Sequence, residues 1–166
     1  MMGRILVIVI ALVGLLTAVG VWYLQVFHYY DRVSPEGFEI QAENSTIRAS
    51  ATNIEAIDAN SSPIRFRACF NTDLTPDIDA VPYEDATPLT APFWFDCFDA
   101  DAIGEALEAG TARAFLGTEN IAYGADRIVA ITDDGRGYVW HQLNNCGEVA
   151  YDGTQIGEDC PPREDQ

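Results

Sequence analysis

Residues 126–143 read DRIVAITDDGRGYVWHQL. Two largely apolar runs, Asp126 to Thr132 and Tyr138 to Leu143, flank Asp133-Asp134-Gly135-Arg136-Gly137. Aspartate and glycine supply the backbone conformations that a tight hairpin turn requires. The first run is apolar on both faces, the mark of a strand in the interior of a sheet. An antiparallel hairpin is therefore the frame on which the rest of the chain is read.

Working toward the N-terminus, Thr111 to Leu116 reads as a further strand. A short helix is expected before it, from Asp99 or Asp101 to Ala109. Asp99, Asp101 and Glu105 sit in or near its first turns, where the helix dipole favours negative charge. Gly110 is the natural residue to end it. Phe93-Trp94-Phe95-Asp96-Cys97-Phe98 reads as an aromatic strand. Residues 71–92 carry Pro76, Pro82, Pro88 and Pro92 and few apolar residues, a loop of a length usually functional or mobile. Ile64 to Phe70 alternates: Ile64, Phe66, Ala68 and Phe70 face one way, and Arg65, Arg67 and Cys69 the other, as in a half-buried strand. Ile47, Ala49 and Ala51 alternate similarly, and Phe38 and Ile40 begin a first strand. Ser34-Pro35-Glu36-Gly37 and Asn60-Ser61-Ser62-Pro63 are breaks. Strands outnumber helices, so the expected fold class is α+β, a mainly antiparallel sheet with one short helix.

Ile5 to Leu24 has no charged residue. Twenty residues at helical rise span about 30 Å, the hydrocarbon thickness of a bilayer. Trp22, Tyr23, Phe27, Tyr29 and Tyr30 follow, as rings do at the headgroup level. Arg4 precedes the run, and Asp31 and Arg32 beyond it cancel, so the positive-inside rule puts the N-terminus in the cytoplasm. Ala18-Val19-Gly20 is a weak cleavage site, and the apolar run continues past it, favouring an uncleaved signal anchor. The expected organisation is a cytoplasmic start and transmembrane anchor (1–30), a linker and first strand region (31–46), a periplasmic α+β domain (47–156) and a polar tail (157–166) that frays.

The chain has 166 residues, 26 Asp and Glu against nine arginines and no lysine, and 48% hydrophobic residues. The missing lysines exclude Schiff-base chemistry. They fit codon bias in a GC-rich genome. A chain of net charge −17 lacks the basic footprint of a nucleic-acid binder. All the acids lie from Asp31 onward against eight arginines, which leaves that part at a net −18.

Four cysteines, Cys69, Cys97, Cys146 and Cys160, lie beyond the apolar run, and an even number in an exported domain implies disulfides. Of the three connectivities, the sequential one closes loops of about 29 and 15 residues, worth roughly 3–4 kcal/mol each. It is preferred because both bridges staple segments that otherwise look loose. No Cys-x-x-Cys occurs, which argues against thioredoxin-type redox chemistry, and the spacings do not match a zinc site.

Three groups invite a chemical role. His141 is the one histidine outside the apolar segment and its flank, and a catalytic base there would need a nucleophile and an orienting carboxylate. No nucleophile motif is present. Arg65 and Arg67 could bind an anion, or pair internally with Asp96 or its neighbours. Asp99 to Gly104 starts like a calcium loop but lacks the third acidic ligand and the closing Glu. No metal and no cofactor is therefore expected. Two Asn-x-Ser/Thr tripeptides, at Asn44 and Asn60, are discounted with the bacterial composition.

The stretches SPIRFRACF (62–70), APFWFDCFD (91–99) and DGRGY (134–138), with Trp140-His141-Gln142, resemble a family of small bacterial single-pass, membrane-anchored periplasmic proteins of unknown function. The resemblance implies an inner-membrane protein with a periplasmic domain and brings no activity or ligand. The expected function is a non-enzymatic binding or assembly module for another envelope protein, with the inner-membrane bilayer as its other contact. The alternatives are a small-ligand or cation sensor using Arg65, Arg67 or His141, and an envelope hydrolase built around His141.

Overall fold

A computed structural model describes residues 2–147, 149–154, 157 and 160. The chain forms two compact units, Met1–Asp31 and Arg32–Gln166.

The first unit is helix α1, Met2–Tyr23, which widens into a π-type turn over Leu24–His28. The most apolar 18 residues within Met2–His28 have a mean hydropathy of 2.8, and none of them is buried. At 22 residues, α1 spans about 33 Å, long and apolar enough to cross a membrane.

The second unit is built on a six-stranded sheet. Its strands are β1 (Asp31–Val33), β4 (Thr52–Asp58), β5 (Arg67–Asn71), β8 (Arg136–Leu143), β7 (Ala125–Thr132) and β6 (Ala112–Ala122), in that spatial order. The pairs β4–β5, β5–β8, β7–β8 and β6–β7 are all antiparallel. A separate hairpin joins β2 (Phe38–Ala42) to β3 (Ser45–Ala49). Helix α2 (Ala100–Ala109) packs near β6. The fold is thus the expected α+β, mainly antiparallel, with a long apolar helix at the N-terminus and one short helix in the domain.

Alternation along β5, β7 and β8 divides the sheet's side chains between two covered faces. On one face, Ala68, Phe70, Val129, Ile131 and Val139 pack under Phe38, Ile40 and Ala49 of the β2–β3 hairpin. Phe38 meets Phe70 at 5.0 Å and Phe66 at 6.2 Å between ring centroids. Gly137 lies opposite Phe70 in the ladder, and a Cβ there would stand 2.1 Å from the Phe70 ring. The glycine is what lets that ring lie flat over β8. The other face carries Tyr138, Trp140 and Ile128, with Phe98 set edge-on to Tyr138 and Trp140.

The sequence expectations hold for the central hairpin and for α2. Asp99 caps α2, accepting from the amides of Asp101 and Ala102, and Gly110 ends it at φ 74°. Three expectations change. Residues 93–98 form consecutive turns, not a strand: Pro92 O accepts from the Phe95 amide and Phe95 O from the Phe98 amide. Turns bury Phe95 and Phe98 together at a spacing of three, which an alternating strand could not do. The strand expected from Ile64 starts only at Arg67, because Pro63–Arg65 makes a 3₁₀ turn first. It is also covered on both faces, with Arg67, Ala68, Cys69 and Phe70 all buried. Strand β4, absent from the sequence reading, fills the place between β1 and β5.

The long proline-rich segment is a fixed layer. Val81 and Tyr83 bond to the β6 backbone, with Pro82 bridged to Phe115, which covers part of that sheet edge. Gln142 donates to Asp85 O and accepts from the Thr87 amide, and Arg67 donates to Leu89 O. The Cys69–Cys97 bridge ties the far end to β5, and Cys146–Cys160 closes the second loop, the sequential pairing. Gly157 and Cys160 apart, the polar tail expected to fray lies outside the described residues.

Candidate functional site

The hairpin register sets Arg127 directly opposite His141. Both project from the face that carries Val129 and Val139, at the end of the sheet where the chain leaves β4 and turns through Pro63. The His141 ring stacks on Phe66 at 4.9 Å. Its Nδ1 lies 2.6 Å from Pro63 O, and its Nε2 accepts from Arg127 Nε at 3.0 Å. A carbonyl can only accept and a guanidinium can only donate, so the proton sits on Nδ1. Burial, with Arg127 nearby, pushes the His141 pKa down to about 4. The imidazole is therefore neutral at physiological pH with both nitrogens engaged. A general base needs one of them facing a substrate proton.

The Arg127 guanidinium lies 4.8 Å from the Phe66 ring centre, a cation–π contact. Burial lowers its pKa, and Asp58 raises it in partial compensation. His141 and Arg127 form one wall of a cleft of about 510 Å³, within the size range of small-ligand sites. Asp58, Asn60, Ser62, Tyr123 and the apolar Ala59, Pro63, Ile121 and Ala122 complete its lining. Asp58 ends β4, and one of its oxygens accepts from the Ala59 amide at 2.8 Å.

Arg65 and Arg67 are not together at this cleft. Arg65 is half-buried in the 3₁₀ turn. Arg67 is buried on the opposite face of the sheet from His141. It donates to the carbonyl oxygens of Leu89, Ile64 and Phe66 at 2.7, 2.8 and 2.7 Å. Its guanidinium lies 5.8 Å from the Phe98 ring centre. These bonds join β5, the 3₁₀ turn and the proline-rich layer.

A second polar cluster surrounds Asp126. It accepts from the Asn120 amide, from Asn144 Nδ2 and from the Tyr83 hydroxyl, at 2.8, 2.7 and 3.3 Å. Burial, with the carboxylate of Asp126 adjacent, pushes the Tyr83 pKa up to about 12. Asn144 in turn accepts from the amides of Cys146 and Gly147. The cluster fixes the β6–β7 turn and the entry to the second disulfide loop. Among the described residues, no group of three or more His, Cys, Asp or Glu stands close enough to hold a metal ion.

Sequence reasoning singled out His141 and passed over Arg127 and Asp58. The signal was present: counting back equally from the Asp133–Gly135 turn sets Arg127 across from His141.

Fold and site define a chain with one long apolar helix and a two-disulfide, antiparallel β domain bearing a small cleft. It belongs to a family of unknown function, DUF6446, whose profile matches residues 38–161. Comparison with curated proteins and with solved structures found no match.

Proposed function

We propose that the chain is a membrane-anchored, non-enzymatic module. Its acidic, disulfide-stapled domain lies on the periplasmic side of a bacterial inner membrane and binds a basic envelope protein. The supporting observation is an apolar helix with no buried residue in its most apolar stretch, joined in one chain to a domain holding two disulfides. Apolar surface of that extent needs lipid, and persistent disulfides need an oxidising compartment.

The proline-rich layer offers a contact point. Phe93 is 69% exposed, and Asp96, Asp99 and Asp101 line the shallow depression beside it. An exposed ring rimmed by carboxylates suits a basic partner presenting an apolar side chain. Steering by a domain at net −18 makes such association salt-sensitive.

A photo-reactive amino acid at position 93, activated in intact membranes, tests this reading. The expected result is a discrete protein adduct whose yield falls as ionic strength rises. Adducts with lipid alone, or a yield indifferent to salt, would contradict it.

A further inference from the structure

The cleft beside His141 contains two opposite charges that do not pair with each other. Arg127 spends only Nε on a hydrogen bond, to His141. Asp58 spends one oxygen, on the Ala59 amide. Neither residue belongs to an ion pair among the described residues. No side-chain nitrogen or oxygen among those residues is both buried and without a partner. The terminal nitrogens of Arg127 and the second oxygen of Asp58 are therefore not sealed from solvent, and both residues line the cleft. Phe66 and His141 hold the guanidinium from behind, so its fork is oriented before any ligand arrives.

We propose that this cleft binds a small zwitterion of the α-amino-acid class. Its carboxylate lies on the terminal nitrogens of Arg127 and its ammonium on Asp58. Asn60 and Ser62 stand on the cleft wall as further polar contacts, and Ile121 and Ala122 form an apolar wall for the side chain. Charge decides against single-charged ligands. A simple anion meets Asp58 and the field of a domain at net −18. A simple cation must sit beside Arg127. A zwitterion pairs with both groups and carries no net charge into that field. The volume of about 510 Å³ admits one amino acid with room for its side chain.

The test uses the full chain in detergent micelles at neutral pH. Thermal unfolding is followed with each of the standard L-α-amino acids at millimolar concentration, and with acetate and methylammonium as single-charge controls. At least one amino acid should raise the midpoint by about 4 °C or more, the linkage effect of a ligand well above its dissociation constant. The controls should leave it unchanged. Asp58→Asn keeps the oxygen that accepts from Ala59, so it folds while losing the charge, and it should abolish the rise. Arg127→Lys should abolish it as well. A flat response to every amino acid, an equal rise with acetate, or a rise that survives Asp58→Asn would each overturn the proposal.

Discussion

Arg67→Met separates a structural arginine from an anion site. The substitution keeps an unbranched apolar stem against Phe98 and removes every donor. Three carbonyl oxygens, of Leu89, Ile64 and Phe66, then lose a charged partner at 2.7–2.8 Å. Leaving a buried acceptor unpaired costs about 1–3 kcal/mol, so the gross loss is of order 3–9 kcal/mol. Against this stands the relief of no longer burying a guanidinium, a few kcal/mol. The net expectation is a destabilisation of about 1–6 kcal/mol. It is read by urea unfolding of the full chain, using the fluorescence of Trp140, which is fully buried beside the site. With a slope of about 2 kcal/mol/M the midpoint should fall by about 0.5–3 M, with the slope unchanged. A loss below about 0.5 kcal/mol, the level of an ordinary surface change, would refute the assignment of Arg67 to the framework.

Other outcomes follow from the same packing. Gly137→Ala forces a methyl into the Phe70 ring and should cost about 2–4 kcal/mol; in a Phe70→Ala background the same change should cost little, and additive losses would disprove the contact. His141 has a folded pKa of about 4 against an unfolded value near 6.5. The unfolded chain thus binds more protons between those values, so the contribution of His141 is complete above pH 6.5 and is lost as pH falls toward 4. That loss is worth about 3 kcal/mol. Urea titrations at pH 7 and pH 4 should show a correspondingly smaller drop in His141→Gln, and equal drops in both proteins would contradict the tautomer and its burial. Replacing Cys69 and Cys97 together by Ser should cost about 3–4 kcal/mol on the loop-entropy model. Because Gln142 and Arg67 hold the same layer, amide exchange there should rise only moderately; complete exposure of residues 81–89 would show that the bridge alone holds it.

The parts legible in the sequence are those where local chemistry and tertiary structure agree. The Asp133–Gly137 turn and the apolar runs around it announce β7 and β8, and Asp99 and Gly110 bracket α2 as caps. The aromatic run at 93–98 misleads because its residues favour strands by type. Here the Cys97 bridge and the turn after Pro92 bury Phe95 and Phe98 at a spacing that only turns provide. β4 was hidden because Thr52 to Asp58 mixes polar and apolar residues, and its pairing with the expected strand β5 is a tertiary fact. The cleft was half visible. His141 stands out as a lone residue type and the turn sets Arg127 across from it, but the place of Asp58 comes from the chain path between β4 and β5, a tertiary fact.

The central claim, an anchored domain in an oxidising compartment, is tested most directly by one experiment on native membranes. They are extracted with alkaline carbonate, and the chain is then alkylated with a thiol reagent of known mass, before and after reduction. The account predicts that the chain stays in the membrane pellet at full length, adding no reagent before reduction and four equivalents after it. Release into the supernatant, a product shortened by the apolar helix, or four reactive thiols without reductant would contradict it.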